Sequence, residues 1–251
     1  MKSIGIVYIT QNRLYYVEKS LPQLLANTKL DFNLYVVDNG STDGTLEFVS
    51  SIHDPRIKML VRHRKNQKQT RPINWLWSVC TEDLVGKFDD DGLVPPGWLE
   101  DMSSVFDQRT ELNLGAVAAT NFHPDDVAKA NYQKNIVKIG SREIVRQPHV
   151  TGACYIIRSE IVKKFGPLKE TNGNNDWINF EWMLGKNGYV HGLAHPLVMV
   201  INMDDPRFGM RNPGDIRMRE SDDAWLDKWP RKNVEMLSSD PGSRIGMRGR
   251  R

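Results

Sequence analysis

The sequence predicts an α/β fold, in which a mixed, mainly parallel sheet is flanked by helices and followed by a C-terminal extension. Three observations indicate this class. Short apolar segments alternate with amphipathic segments over the first 120 residues. The connections between them are short, as in parallel strands that are joined by right-handed helical crossovers. Apolar residues make up 39% and charged residues 26% of the 251-residue chain, which is enough for a core and excludes wholesale disorder.

Each predicted strand of this region is a short apolar run that ends in turn residues. The first, residues 4–9, reads Ile-Gly-Ile-Val-Tyr-Ile and is rich in residues that favour strands. We expect it to be a buried strand, because it is too short for the core of a signal peptide. The other predicted strands are residues 33–38, 57–61, 84–88 and 114–119. No apolar run approaches the roughly 20 residues that span a bilayer.

Amphipathic segments between these strands are predicted to be helices. Leucine and valine recur at helical spacing from Leu14 onward. Ser41, Thr42 and Asp43 can each cap a helix, and Pro72 suits a first helical turn. The predicted helices are residues 14–27, 43–52, 70–80 and 96–107.

The second half continues with strands and helices in a less regular order. The predicted strands are residues 136–139, 150–157, 189–193 and 197–201, and the predicted helices are residues 159–165 and 176–186. We expect one domain over residues 1–203 and an extension over residues 204–251. Three interpretations of the basic tail, residues 243–251, stay open: a solvated segment, contact with an anionic membrane surface, and binding of an acidic partner.

Composition excludes several classes of protein. Cys80 and Cys154 lie far apart and are too few for a disulfide scaffold or a four-cysteine zinc site. The formal net charge of +3 is too small to indicate nucleic-acid binding. We therefore expect no nucleic-acid partner and a cytoplasmic location, peripheral at the inner membrane face if the tail contacts lipid.

Two acidic motifs follow predicted strands, and ligands of parallel sheets collect at the carboxyl ends of strands. Asp38 ends the second strand and can accept a hydrogen bond from a nucleobase or a ribose hydroxyl, although a plain turn is the alternative. Asp89, Asp90 and Asp91 end the fourth strand. On an extended chain Asp89 and Asp91 point together. A cation relieves their repulsion and carboxylates suit Mg²⁺ or Mn²⁺, whereas a solvated turn is the alternative.

Three motifs occur in order along the chain: Ile6-Val-Tyr-Ile-Thr-Gln-Asn-Arg13, Val36-Val-Asp-Asn-Gly-Ser-Thr-Asp-Gly-Thr45 and Phe88-Asp-Asp-Asp-Gly-Leu-Val-Pro-Pro-Gly-Trp98. Together they resemble the family 2 glycosyltransferases of the GT-A fold over roughly residues 3–203, and the third resembles the family's DXD motif. The resemblance implies an inverting, Mn²⁺- or Mg²⁺-dependent enzyme. It would transfer a sugar from a nucleotide-sugar donor, by analogy a UDP-sugar, to a hydroxyl of a glycan or lipid-linked acceptor.

The resemblance also implies a donor site that is made from four segments. Asp38 would hold the base. The other expected donor-binding residues are Thr10, Gln11, Asn12 and Arg13 of the first loop, Asn66, Arg71 and Asn74 before the DXD strand, and Asp89 and Asp90 of the DXD motif.

For the metal, the resemblance implies that Asp91 contacts the cation and that Asp89 reaches the ribose, a metal-bound water or the cation itself. It also implies that Asp90 is the middle residue that points outward. Family members often use a late histidine as a further ligand. Here the corresponding segment, Val200-Ile-Asn-Met-Asp-Asp-Pro206, has no histidine, and Asp204 is expected to replace it. The alternatives are Asn202, His191 and His195.

The family's general base is a carboxylate at the start of a late helix, where it takes the proton of the acceptor hydroxyl. In the matching segment, residues 172–188, Asp176 is the expected base and Glu181 the reserve. Asn175 stands where the family has the Glu of a Glu-Asp pair, and an ordinary helix cap is the alternative for Asp176. Two other functions stay open: a sugar-phosphate nucleotidylyltransferase and a non-catalytic nucleotide-sugar-binding scaffold.

Overall fold

The computed structural model describes residues 2–171, 176–212, 214 and 221–241, and it confirms the α/β class. Asn175 and the predicted basic tail, residues 243–251, lie outside the described residues. The strands are β1 (Ile4–Thr10), β2 (Asn33–Asp38), β3 (Ile57–Arg62), β4 (Leu84–Asp89), β5 (Gly92–Leu93), β6 (Asn113–Ala118), β7 (Ile136–Ile139), β8 (Arg142–Gln147), β9 (Cys154–Arg158), β10 (Tyr189–His195) and β11 (Ile201–Asn202).

Nine of these strands form one sheet in the order β3-β2-β1-β4-β9-β6-β10-β8-β7. Strands β3, β2, β1 and β4 are parallel to one another, as are β6 and β10. Strand β9 runs antiparallel between β4 and β6, and β8 and β7 extend the sheet antiparallel beyond β10. Strands β11 and β5 form a separate antiparallel pair.

Eight α-helices are found among the described residues. They are α1 (Leu14–Asn27), α2 (Thr45–Ser51), α3 (Thr70–Val79), α4 (Trp98–Ser104), α5 (Pro124–Lys129), α6 (Ser159–Phe165), α7 (Asp176–Lys186) and α8 (Asp222–Leu237). In this part of the chain no helix has both the length and the apolar character that a bilayer span requires.

The two faces of the sheet follow from the alternation of side chains along β1. Ile6 and Tyr8 belong to one buried cluster, which also holds Leu21 of α1 and Trp98 of α4. Val7 and Ile9 belong to a second cluster, with residues of α3, α6 and α7. Because β1 is covered on both faces, all seven of its residues are buried, as a central parallel strand requires.

Five predicted elements are confirmed to the residue: α1, β2, β7, α6 and α7. The strand predicted at 150–157 begins only at Cys154. Side chains of α7 bind the Val150 backbone instead, since Glu181 accepts from its N–H and Trp177 donates to its carbonyl oxygen.

The strand predicted at 197–201 was wrong for most of its length, because only Ile201–Asn202 pairs as β11. Val198 and Val200 instead exchange backbone hydrogen bonds with Thr120, outside the named strands. Strands and α-helices that the sequence did not predict are β5, β8, α5 and α8.

Parallel pairing brings the acidic motifs together at one edge of the sheet. Thr10, the last residue of β1, is in register with Asp38 on β2, and Ile9 is in register with Asp89 on β4. The loops after β1, β2 and β4 therefore lie side by side.

Candidate active site

Asp38 is a fully buried carboxylate at the end of β2. Both of its oxygens accept from the backbone N–H of Ser41 at 3.2 Å. Gly40 makes this turn with a φ of +81°, and a Cβ there would lie 3.0 Å from the Cα of Lys65. On neighbouring β1 the Thr10 hydroxyl is buried and has no hydrogen-bond partner among the described residues. The two strand ends therefore place polar groups side by side in a buried setting.

Asn12 connects the loop after β1 to the loop after β2. Its φ of 51° lies in the left-handed region, which asparagine tolerates better than most residues. Its N–H donates to Ser41 Oγ at 2.9 Å, and its side-chain oxygen accepts from the N–H of Thr42 at 2.7 Å. Gln11 Oε1 accepts from Asn66 Nδ2 at 2.6 Å, so the structure brings these two predicted donor-site residues together.

Asp89, Asp90, Asp91 and Asp204 form what we call the aspartate cluster, and Arg13 contacts three of these four carboxylates. Its Nη1 lies 3.0 Å from Asp91 Oδ2 and 3.4 Å from Asp90 Oδ1. Its Nη2 donates to both carboxylate oxygens of Asp204 at 2.8 Å. The guanidinium carbon lies 4.1 Å from the ring centre of Tyr16, and the side chain is only 11% exposed. Arg13 thus links the first loop to Asp90 and Asp91 and to the segment after β11.

Lys87, inside β4, is a second buried cation. Its side chain is 3% exposed, and its ammonium group pairs with Asp89 and donates to the carbonyl oxygen of Gly152 at 2.9 Å. Burying a charge is costly unless a partner of opposite sign accompanies it. Sequence reasoning missed Lys87, although a lysine two residues before the DXD acid in an apolar strand was a usable signal.

The prediction that Asp90 points outward was wrong. Asp90 is 5% exposed and faces Arg13. Strand β4 ends at Asp89, so the alternation of an extended chain does not govern the next side chains. Asp89 pairs with Lys87 whereas Asp91 pairs with Arg13, so these two carboxylates have different basic partners.

Burial raises the pKa of Asp91 well above its ordinary value, against the charge of Arg13, and the carboxylates of Asp89 and Asp90 raise it further. Burial acts upward on Asp204 too, but the charge and hydrogen bonds of Arg13 and its other partners outweigh it. The pKa of Asp204 is therefore lowered. Carboxyl groups whose pKa values are shifted by burial and by neighbouring charges are common at functional sites.

A divalent cation fits the cluster in its donor chemistry and charge. The ion pairs set four carboxylates against two basic side chains, which leaves an excess of negative charge. Carboxylate oxygens are hard ligands of the kind that Mg²⁺ and Mn²⁺ prefer. Asp89, Asp91 and Asp204 are the residues that would hold the ion. Over the described ranges, no group of three or more acidic, histidine or cysteine side chains is already gathered for a metal, and Arg13 contacts both Asp91 and Asp204.

Asp176 begins α7 and is 7% exposed. One of its oxygens accepts from the Thr70 hydroxyl, and the other accepts from the N–H of Thr171 at 2.9 Å and from its hydroxyl. These hydrogen bonds fix the orientation of the carboxylate. Sequence reasoning missed both threonines, because a threonine near a helix start cannot be distinguished from an ordinary cap.

Asp176 lines a cavity of about 400 Å³ together with Asn66, Arg71 and Trp177. This volume is within the range of small-molecule sites, which is about 300–1,000 Å³. The Trp177 ring stacks on Tyr155 with ring centres 3.7 Å apart, which anchors this wall. The cavity is thus a site in which a carboxylate could meet a substrate hydroxyl.

Three predicted residues before the DXD strand have separate surroundings. Arg71 pairs with Glu170 at 3.0 Å at the rim of the cavity. Asn66 also lines the cavity. Asn74 does not line it, because its amide exchanges hydrogen bonds with the backbone of Leu168 at 2.8 and 2.9 Å.

Glu181, the predicted reserve base, lies away from this cavity. It is fully buried, its Oε1 accepts from the N–H of Val150 at 3.0 Å, and burial raises its pKa. His191 is also buried, and its Nδ1 accepts from the N–H of Ala116, so its proton is on Nε2. Burial lowers the pKa of His191 to about 4. The geometry therefore separates Glu181 from Asp176 rather than pairing them.

The other alternative metal ligands have partners of their own. His195 Nδ1 lies 3.0 Å from Glu143, and Asn202 Oδ1 accepts from the N–H of Asp204 at 3.0 Å. Asn202 therefore orients the Asp204 turn.

Comparison with known proteins identifies a family. The family described as "Glycosyl transferase family 2" matches residues 5–166. A curated protein of Sinorhizobium fredii (strain NBRC 101917 / NGR234), "Uncharacterized protein y4gI", is 26% identical over 199 residues. That match covers 67% of this chain, and the chain spans only 21% of the relative.

Solved structures share the fold at low sequence identity. The mannosyltransferase PcManGT from Pyrobaculum calidifontis, in complex with GDP-Man and Mn²⁺, has a TM-score of 0.61 and 17% identity. The match covers 94% of this chain and 72% of that one. S. aureus TarS 1-349 in complex with UDP-GlcNAc has a TM-score of 0.53 and 18% identity, over 77% of this chain and 55% of that one.

Proposed function

The chain belongs to glycosyl transferase family 2 and is a glycosyltransferase, and we propose that it transfers a sugar from a UDP-sugar to a hydroxyl of a glycan or lipid-linked acceptor, with inversion and with Mn²⁺ or Mg²⁺. One observation carries the proposal. Polar groups for a nucleotide and carboxylates for a cation share one edge of the sheet, and a further carboxylate, Asp176, lines the cavity. Family membership favours transfer over both the nucleotidylyltransferase and the non-catalytic scaffold.

The donor half of the proposal rests on strand ends. The Asp38 carboxylate would accept from the base or the ribose, and the loop of Gln11 and Asn12 would form the wall beside it. The GDP-Man and UDP-GlcNAc complexes of the two neighbours support a nucleotide-sugar donor in general. UDP is the more specific proposal.

The leaving group of the reaction is a nucleoside diphosphate, on which negative charge grows. A divalent cation at Asp89, Asp91 and Asp204 would stabilise that charge as a Lewis acid. The Mn²⁺ in the mannosyltransferase complex supports this choice of cofactor. Arg13 pairs with Asp91 and Lys87 pairs with Asp89, so each basic side chain fixes the position of one carboxylate.

Asp176 would take the proton of the acceptor hydroxyl as that oxygen attacks the anomeric carbon. Thr70 and Thr171 hold the carboxylate by hydrogen bonds, so it is oriented before substrate binds. Its partly buried setting limits competition from water.

A panel of UDP- and GDP-sugars tests the proposal in two steps. Thermal unfolding with and without Mn²⁺ identifies the donor, because a ligand of the native state raises Tm by mass action. Release of the nucleoside diphosphate is then compared between wild type, Asp176→Asn and Glu160→Gln, a matched control on the exposed surface of α6. We expect Asp176→Asn to keep the donor-dependent Tm shift and to lose about 10²- to 10⁴-fold in kcat. A donor that raises Tm with unchanged turnover in Asp176→Asn would contradict the assigned base.

A further inference from the structure

We propose that Arg13 is the resident counter-cation of Asp91, and that a divalent cation binds by displacing the guanidinium from that carboxylate. The inference rests on the proposed metal-dependent transfer and extends it, because it names the residue that sets the affinity of the site for its cation. Arg13 is here a positioning residue, since it acts through Asp91 and Asp204.

The contacts of Arg13 divide between its two terminal nitrogens. Nη2 is bound by both oxygens of Asp204 at 2.8 Å, in the geometry that guanidinium groups favour with carboxylates. Nη1 is held more loosely, at 3.0 Å from Asp91 and 3.4 Å from Asp90. Asp91 Oδ2 therefore already has a cationic partner, and a metal ion must compete with Nη1 for it.

The surroundings of Arg13 allow this exchange without a change of fold. Its backbone N–H donates to Thr45 Oγ1 at 3.2 Å, which fixes the loop. Its guanidinium rests on the ring of Tyr16, whose hydroxyl accepts from the N–H of Asn212 at 2.9 Å. Because that backbone anchor does not involve the guanidinium, the side chain can swing away from Asp91 and Asp204 while the loop keeps its place.

The charges explain why such a counter-cation is needed. Without Arg13, the carboxylates of Asp90, Asp91 and Asp204 would face one another in a partly buried cluster and repel. Arg13 relieves that repulsion in the cation-free protein, and so it also lowers the gain from binding a metal. The diphosphate of the donor adds oxygen ligands for the cation. We therefore infer that the cation binds weakly alone and tightly together with donor.

Mn²⁺ binding tests the inference without any transfer reaction. The free Mn²⁺ signal in electron paramagnetic resonance gives the Kd for wild type, Arg13→Gln, Arg13→Lys and Arg56→Gln, with no nucleotide present. Arg56 is the matched control, because it pairs with Asp54 at 2.7 Å but contacts none of the cluster's aspartates in any described ion pair. We expect Arg13→Gln to bind Mn²⁺ at least tenfold more tightly than wild type, Arg13→Lys to fall between, and Arg56→Gln to match wild type.

Thermal unfolding supplies a second readout. Arg13→Gln should melt below wild type without divalent cations, and Mn²⁺ should raise its Tm more than that of wild type. If Arg13→Gln does not fold, Arg13→Lys decides, because it keeps the charge but cannot bridge two carboxylates in the same way. Equal or weaker Mn²⁺ binding by the folded Arg13 variants overturns the inference.

The failure of this inference differs from the failure of the proposed function. Wild type that binds Mn²⁺ in the presence of UDP, with Arg13 variants that show no gain, overturns only the counter-cation role. Absence of Mn²⁺ binding in every variant, with and without UDP, overturns both this role and the proposed metal dependence.

Discussion

The buried carboxyl group of Glu181 accepts a hydrogen bond from the backbone N–H of Val150 at 3.0 Å. Trp177, one turn earlier on α7, donates to the carbonyl oxygen of the same residue at 3.3 Å. Val150 leads into Gly152, whose carbonyl oxygen accepts from Lys87, the partner of Asp89. The helix that carries Asp176 is thus joined, through Val150, to β4, the strand that carries Lys87 and Asp89.

Glu181→Gln keeps a carbonyl acceptor for Val150, so we expect its turnover to stay near wild type and its stability to match wild type below pH 4.5, where Glu181 is protonated. Glu181→Ala leaves that N–H without a partner in the interior, which costs about 1–3 kcal/mol. Urea unfolding and initial rates measure both variants. Loss of turnover in a stably folded Glu181→Gln would instead support the reserve-base role.

Glu181 should also make stability depend on pH. Burial raises its pKa in the folded protein, whereas the unfolded chain has the ordinary value of 4.5. The stability that the protonated Glu181 contributes to the fold is therefore complete below pH 4.5, and it is lost as the pH rises toward the folded-state pKa. Relative to Glu181→Gln, the free energy of unfolding of wild type should fall by up to about 1.4 kcal/mol per pH unit between pH 4.5 and the folded-state pKa. If urea unfolding shows that the free energies of unfolding of the two proteins change with pH in the same way across that window, the expectation is contradicted.

Asp91→Asn should lower the kcat of transfer by at least about 100-fold, because the cation loses its principal carboxylate. The fold should persist, since Arg13 keeps Asp204 and Asp90 as partners. Circular dichroism checks the fold, and thermal unfolding with UDP and Mn²⁺ should show a reduced Tm rise. The exposed Asp31→Asn serves as control, and full activity of Asp91→Asn with metal present would refute the metal role.

Asp126 should be important for stability because it is a buried anion, 1% exposed, held by Arg207 at 2.7 and 2.8 Å. Asn233 of α8 donates to it at 2.8 Å. Removing one partner of a buried pair costs about 3–5 kcal/mol, so Asp126→Ala should unfold at much lower urea. The neighbouring Asp125, 70% exposed, gives the control, and its alanine variant should change stability by about 0.5 kcal/mol or less. Equal midpoints for the two variants would contradict the role of the network.

Hydrophobic spacing was sufficient to predict most elements that pack on the sheet. The apolar positions of α1 and α7 fix their limits, because few other registers bury the same side chains. Strand β8 was not predicted, since Arg142-Glu-Ile-Val-Arg-Gln147 has only two apolar residues and depends on pairing with β10 and β7. Long-range pairing of this kind leaves little local signal.

The sequence predicts the site residues that stand at the ends of strands. It does not predict the contacts between residues that are far apart along the chain. The positions of Asp38 and Asp89 follow from the parallel-sheet rule. The contact between Arg13 and Asp204 joins residues 191 positions apart, and no local pattern indicates it. The inward direction of Asp90 depends on where β4 ends, which spacing alone leaves open by a residue or two.

The stretch that matches the family stops at residue 166, yet Asp176 and Asp204 lie beyond it. Most of the proposed donor-site residues therefore lie within the matched stretch, whereas the proposed general base and one proposed metal ligand lie after it. Two proteins that are alike over residues 5–166 can thus differ at the proposed base and at this metal ligand.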